Sequence, residues 1–251
     1  MKAIILAAGY GTRLYPLTFD RPKPLLPIGG KPMIDYIIKK IDEIEDVDTI
    51  YVVTNDRYYE RFVEWNRNSE TRADIMIIND HTKTNEERLG AVGDMELVIS
   101  SEKIDDDLVV IAGDNLFEFS LVRLNELFSE KGSSVMALCD LGDPAKLARK
   151  FGTAVIDEDC LVIDFEEKPE KPKSSLCATV CYILKRSDLL MLSRFINSKD
   201  RPDNIGEIIR FLITKTKVYG FPFKESWVDI GGKKEYEEAN KRYYELNKKD
   251  A

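Results

Sequence analysis

Apolar positions in this chain gather into short runs with two alternating textures. Ile4 to Ala8, Ile50 to Val53, Ile75 to Ile78 and Leu108 to Ala112 are nearly unbroken, as buried strands are, and Ser133 to Cys139 supplies another. Between them the apolar residues recur at helical spacing. Ile34, Ile37, Ile38, Ile41 and Ile44 follow Pro32, which suits the start of a helix. Arg57 to Asn68 carries Phe62, Val63 and Trp65; Val92, Met95, Val98 and Ile99 share one helix face; Leu121, Leu124 and Phe128 share another. This alternation predicts an α/β fold, a doubly wound, mixed, mainly parallel Rossmann-like sheet with crossover helices. Ligands of such sheets lie at the carboxyl ends of the strands.

The texture changes from Lys146. Thr153 to Ile156, Leu161 to Phe165 and Leu176 to Leu184 read as short strands and predict a small antiparallel subregion. Ser187 is placed to cap a helix carrying Leu189, Leu190 and Leu192, and Ile205, Ile208, Ile209 and Leu212 form a further core stripe. Val218 to Phe223 reads as a strand. A charged helix with Tyr236, Ala239, Asn240, Tyr243 and Leu246 follows.

Composition narrows the setting. The chain has 251 residues, 43% of them hydrophobic, enough for a core in one large domain. A net charge of −8 argues against a general nucleic-acid or anionic-membrane surface, though a local basic pocket stays compatible with it. No apolar stretch is long enough to cross a bilayer. The four cysteines, Cys139, Cys160, Cys177 and Cys181, form no C-x-x-C, and His81 is the single histidine, so a Cys/His zinc site is not expected. Cys177 and Cys181 fit buried thiols on one strand face. These features point to a soluble protein of the reducing cytoplasm.

Candidate chemistry begins where the first strand breaks, at Gly9-Tyr10-Gly11-Thr12-Arg13. Glycines let a backbone turn tightly and approach a ligand, and the peptide N–H groups of such a turn can cradle phosphate. Arg13 adds a planar cationic fork; Lys23 and Lys31 add point charges. An ordinary strand-to-loop junction with surface lysines reads the same way. Neither common nucleotide fingerprint is present: Leu14 stands where the dinucleotide motif needs its third glycine, and no G-x-x-x-x-G-K-[ST] occurs.

The longer pattern is L-A-A-G-x-G-T-R-L-x-P-L-T, then P-K-P-L-L-P-I, then K-P-M-I. It resembles the sugar-1-phosphate nucleotidyltransferases, most closely the glucose-1-phosphate thymidylyltransferases and mannose-1-phosphate guanylyltransferases, and implies their GT-A-like fold. Later segments extend the likeness. Leu89-Gly90-Ala91 falls where the family contacts the base. Gly113-Asp114-Asn115 falls on its G-D-N, Phe165-Glu166-Glu167-Lys168-Pro169 on its E-E-K-P, and Trp227-Val228-Asp229-Ile230-Gly231 on its W-x-D-I-G. Three departures stand out: Asn85 replaces the glutamine of the thymidylyl type, Val180 the glycine of a T-G-x-Y segment, and Gly232 a threonine.

The resemblance implies a nucleotide-binding part over about 1–145, a sugar-binding part over about 146–232 and a C-terminal helix over about 233–248. By it, Leu6, Ala8, Gly9, Gly11, Thr12, Asn85 and Gly90 hold the nucleotide, and Arg13 and Lys23 face its phosphates as catalytic groups. Gly152, Glu167, Lys168 and Ala178 bind the sugar phosphate, and Asp114 and Asp229 hold Mg²⁺. The implied substrates are a nucleoside triphosphate, by preference dTTP or UTP, and a sugar-1-phosphate such as glucose-1-phosphate. A homo-oligomer is compatible with it. The acceptor in such chemistry is already an ionised phosphate oxygen, so the work is charge neutralisation and alignment rather than proton abstraction. Mannose-1-phosphate with GTP, phosphocholine or inositol phosphate as acceptor, a non-catalytic nucleotide-sugar sensor and a Rossmann-type dehydrogenase stay open as other readings.

Overall fold

The structure, a computed structural model, describes residues 1–198 and 204–248. In chain order its elements are β1 (Lys2–Leu6), β2 (Pro27–Ile28), β3 (Lys31–Pro32), α1 (Met33–Ile41), β4 (Thr49–Thr54), α2 (Tyr59–Asn66), β5 (Asp74–Asn79) and α3 (Gly90–Ser101). Then come β6 (Leu108–Ala112), β7 (Asn115–Phe117), α4 (Leu121–Lys131), β8 (Ser134–Asp140), β9 (Thr153–Ile156), β10 (Val162–Glu166), β11 (Leu176–Leu184), α5 (Arg186–Ile196), α6 (Ile205–Ile213), β12 (Val218–Phe223), β13 (Trp227–Asp229) and α7 (Lys233–Asn247).

Side chains alternate across a strand, and here the two faces of β1 enter different cores. Ala3 and Ile5 pack with Val52, Val109 and Ile111 under α1, α2 and α4, through Ile34, Ile37, Phe62, Leu121 and Leu124. Ile4 packs with Val53, Leu108 and Val110 on the opposite face under α3, α5 and α6, through Val92, Met95, Leu189, Leu192, Ile208 and Ile209. That division is why the central strands β1, β4 and β6 are apolar along most of their length.

Among the described residues, nine strands form one sheet, ordered β10-β9-β11-β6-β1-β4-β5, with β8 paired to β11 and β12 to β8. The β6-β1-β4-β5 part and the β8-β12 pair are parallel, while β11 runs antiparallel to β6 and β8, and β10 to β9. The antiparallel strands expected in the second half are thus continuous with the main sheet, joined through β11. A third core of Leu14, Leu26, Ile28, Met33, Leu116, Ile230, Ala239 and Tyr243 fastens α7 across the N-terminal loops.

Three local expectations are corrected. Ser187 does not cap α5: the helix starts at Arg186, Lys185 stands at the cap, and Ser187 Oγ donates to Asp188 Oδ1 (3.3 Å). Asp107 Oδ1 accepts the Arg186 N–H at 2.7 Å, so a carboxylate distant in sequence satisfies the first donor of the helix. The second helix is shorter than Arg57 to Asn68, spanning Tyr59–Asn66. The strand expected from Leu161 begins at Val162, and Leu161 forms only an isolated bridge to Tyr219.

A register shift in β11 between Ala178 and Tyr182 carries Val180 at φ 48°, a left-handed backbone that β-branched residues rarely adopt. A Cβ in that region costs about 1–2 kcal/mol, whereas glycine inside a strand ordinarily trails alanine by about 0.5–1 kcal/mol. The ordinary order should reverse here. Val180→Gly is expected to be more stable than Val180→Ala by about 1 kcal/mol in urea unfolding. Alanine matching glycine would mean that the bulge stores no strain.

Candidate active site

The glycine-rich loop is pinned by neighbouring strand ends. Ala7 N–H donates to the Val53 carbonyl and Gly113 N–H to the Leu6 carbonyl, both at 2.9 Å, so β4 and β6 hold the exit of β1. Asn55 Nδ2 donates to the Ala8 carbonyl (2.8 Å). Within the loop, Gly11 takes φ 61° and its carbonyl accepts from Thr18 Oγ1 (2.8 Å) and the Leu14 N–H (2.9 Å). Buried Tyr58 donates to the Thr18 carbonyl (2.6 Å), and Tyr10 hydrogen-bonds Thr82 Oγ1 (3.2 Å). The loop is therefore preformed rather than left to a ligand to order.

A cavity of about 430 Å³ opens over this loop at the carboxyl ends of β1 and β6. Leu6, Gly9, Gly11, Thr12, Arg13, Lys23, Asn85 and Asp114 line it together. Gly113, Gly231 and Arg88 join them; Arg88 Nη1 donates to the Asn85 carbonyl (2.9 Å). Ala8 and Gly90 lie outside the lining: Ala8 is buried behind the loop, and Gly90 opens α3.

One piece of pairing brings Asp229 beside Asp114, which lines this cavity. β7 and β13 form an antiparallel ribbon with Asp229 opposite Asn115, and the Ile230 N–H donates to the Asp114 carbonyl at 3.0 Å. Trp227 Nε1 donates to Asn115 Oδ1 (2.6 Å), locking the register. Buried Lys23 donates to Asp114 Oδ2 at 2.7 Å, and Asn115 Nδ2 donates to Oδ1 at 2.9 Å. Burial and then the Asp114 charge push the Asp229 carboxyl up to about 6, against the pull of Lys23 and Arg13. Two carboxylates, one of them paired with Lys23, thus stand close together beside a ligand-sized cavity. Among the described residues no third His, Cys, Asp or Glu completes a cage. Two carboxylates with room for phosphate oxygens and water suit Mg²⁺, which seldom takes an all-protein cage.

The residues expected to bind the sugar phosphate form a second group. The Ala178 N–H donates to the Gly152 carbonyl (2.9 Å), joining β11 to the start of β9. Glu167 and Lys168 follow β10, with Lys168 Nζ 3.9 Å from Glu167 Oε1. The Glu167 carboxyl is raised by burial, with Lys168 opposing and Glu207 adding to the rise. Lys168 is at φ 47° just before Pro169 and its side chain is 59% exposed, a cation aimed outward from a strained turn. Phe151 packs edge-on against Trp227 at 5.3 Å, so β13 connects the two groups.

Some participants were not among those expected. Gly231 and Gly113 belong to motifs that sequence reading singled out for their aspartates only. Glu207, whose charge acts on Glu167, sits in a helix read as core. Its signal was a carboxylate in the first turn of an otherwise apolar stripe.

The chain is similar to known proteins in sequence and fold. The nucleotidyl transferase family model matches residues 2–245. The bifunctional protein GlmU of Methanocaldococcus jannaschii is 32% identical over 243 residues, covering 96% of this chain and 54% of GlmU. A Sulfolobus acidocaldarius protein provisionally named a mannose-1-phosphate guanyltransferase is 31% identical over 244 residues, covering 96% of this chain and 62% of that protein. The chain thus spans little more than half the length of these relatives. A crystal structure of a Bacillus anthracis protein, provisionally named a glucose-1-phosphate thymidylyltransferase and holding sucrose, superimposes with a TM-score of 0.81. It is 26% identical, with 97% of this chain and 95% of that one covered.

Proposed function

Because the chain belongs to the nucleotidyl transferase family, we propose that it joins a nucleoside triphosphate to a sugar-1-phosphate and releases pyrophosphate. The observation that carries this reading is the meeting of Arg13, Lys23 and Asp114 around one cavity, with Asp229 close enough to feel the charge of all three. Two polyanions must be brought together there, and the groups at hand neutralise charge without any group placed as a strong base.

In this reading the preformed loop holds the triphosphate through Gly9, Gly11 and Thr12. Arg13 lies along the β- and γ-phosphates and stabilises the departing pyrophosphate. Lys23, fixed by Asp114, faces the α-phosphate where charge builds during attack. Glu167 accepts hydrogen bonds from acceptor hydroxyls, and Lys168 draws the acceptor phosphate into line. A Mg²⁺ ion held by Asp114 and Asp229 would neutralise phosphate oxygens when bound. The nucleotide is proposed to carry a pyrimidine, dTTP or UTP, and the acceptor to be glucose-1-phosphate. The name of the Bacillus anthracis neighbour favours this pair. The Sulfolobus acidocaldarius relative favours GTP with mannose-1-phosphate as the second reading. The unpaired cysteines suit a reducing, cytoplasmic setting.

Pyrophosphate release over a matrix of nucleoside triphosphates and sugar-1-phosphates tests both readings. The largest rate is expected with a pyrimidine nucleotide; a clear preference for GTP would overturn the base. Lys168→Ala should raise the KM for the sugar phosphate at least about 10-fold and leave the nucleotide KM within about 2-fold, in keeping with one lost charge-assisted contact. An unchanged KM for both would return Lys168 to the exposed surface, where substitutions have little effect.

A further inference from the structure

Glu167 stands in a slot whose two walls have no side chains. On one side is Gly152, before β9: a Cβ there would lie 3.0 Å from Glu167 Oε2 and 2.8 Å from the Phe165 ring. On the other is Gly206, the second residue of α6. A Cβ there would overlap Glu167 Oε2 outright and come within 2.9 Å of the same ring. Gly206 is fully enclosed in this contact, and α6 is a nine-residue helix whose stripe, Ile208, Ile209 and Leu212, is anchored in the core. The wall therefore does not yield easily, whereas the carboxylate at the end of a flexible side chain does.

The same turn sets the charge around the slot. Asn204 caps α6, accepting from the Glu207 N–H at 3.2 Å and donating from Nδ2 to Glu207 Oε1 at 3.2 Å. Glu207 is thereby tied down beside Glu167, and its negative charge acts on that carboxyl.

We propose that Gly206 is a positioning residue for the acceptor: the missing side chain in the first turn of α6 lets the Glu167 carboxylate stand back against the helix, leaving room in front of it for a polyhydroxylated phosphate ester. This rests on the reading of Glu167 as an acceptor ligand. A methyl group at 206 pushes the carboxylate forward into the acceptor's space while the nucleotide loop, built on β1, is untouched. Glu167 then meets the acceptor hydroxyls at the wrong distance.

The test is a double-mutant cycle with glucose-1-phosphate as the probe, comparing wild type, Gly206→Ala, Glu167→Ala and the double variant. Gly206→Ala should raise the KM for glucose-1-phosphate at least about 10-fold, with the nucleotide KM within about 2-fold. In the Glu167→Ala background the same change should add less than about 2-fold to the acceptor KM, because the carboxylate is gone and only the Phe165 ring has to give way. Multiplicative losses, or equal rises in both KM values, overturn the proposal. If Glu167→Ala alone leaves the acceptor KM unchanged, the parent reading of Glu167 fails instead. If alanine at 206 unfolds the chain with and without the Glu167 side chain, as read by thermal unfolding, the slot serves packing alone and the proposal is overturned.

Discussion

Changing either Asp114 or Asp229 to asparagine should lower turnover about 100- to 1000-fold, equivalent to about 2.7–4 kcal/mol of barrier, while the chain still folds. Asparagine keeps the size and turn hydrogen bonds of aspartate and removes only the charge. Both carboxylates come to one place, since the β7–β13 ribbon sets Asp229 opposite Asn115 and beside the Asp114 peptide. The double variant should therefore be little worse than the worse single one, as for groups that act as a unit. Losses that multiply would assign them separate roles, and full activity in chelator would remove the cation altogether.

The same pair makes a stability prediction of definite sign. Asp229 keeps its proton up to about 6 in the folded chain, against 3.8 for an ordinary aspartate. The folded state therefore binds more protons than the unfolded one between those values, and stability falls as pH rises through that window. Above it the loss is complete, on the order of 2–3 kcal/mol. In chelator at pH 7.5, Asp229→Asn should unfold later than wild type, and the difference should vanish below about pH 4. Wild type unfolding later at pH 7.5 would show that burial and Asp114 do not strain this carboxyl. With Mg²⁺ present, more of the ion should be needed for half-maximal turnover as pH drops through about 6.

Lys23→Met is expected to have a comparable effect, again about 100-fold or more on turnover. The methionine fills the same buried volume without the ammonium, which in the native chain donates to Asp114 Oδ2 at 2.7 Å. Two consequences separate a charge effect from a packing effect. The nucleotide KM should rise along with the fall in turnover, because the triphosphate loses a counter-charge. The Asp229 carboxyl should also move further upward, since Lys23 is the first of the cations holding it down. The acid limb of the pH profile would then shift to higher pH. Lys23→Arg should not rescue: a planar fork does not fit where a compact ammonium is enclosed. A methionine variant with near-native turnover would leave Lys23 a structural partner of Asp114.

Strands and helices were legible because burial on two faces of a sheet writes itself into consecutive apolar residues, and burial on one face of a helix into a stripe. What could not be read was pairing between distant segments. Asn115, Leu116 and Phe117 look like the tail of a turn; they become β7 only because Trp227 to Asp229 comes to lie against them, 112 residues on at the Trp227–Asn115 hydrogen bond. Spacing alone gave no reason to put Asp114 beside Asp229, and only the likeness to a family supplied it. Ala8 matched the motif by position; it is buried, its carbonyl accepts from Asn55, and it does not line the cavity. Ser187 lies inside α5, and Asp107, in the loop before β6, accepts from the helix's first N–H instead. Gly206 and Glu207 were invisible as site residues because their relation to Glu167 exists only after α6 has docked.

The ribbon of β7 and β13 also fixes an order of assembly. A chain made from its N-terminus presents β1, the glycine-rich loop, Lys23 and Asp114 long before Asp229 exists. Until Trp227 pairs with Phe117, Asp114 has Lys23 as its partner and the second carboxylate is missing. A nascent chain at that stage lacks Asp229, and it also lacks Gly231, which completes the cavity lining, and the α7 residues that fasten the N-terminal loops. The late-made strand β13 is thus the one that sets the second carboxylate beside the first, so a chain stopped short of it lacks one half of the proposed cation-binding pair.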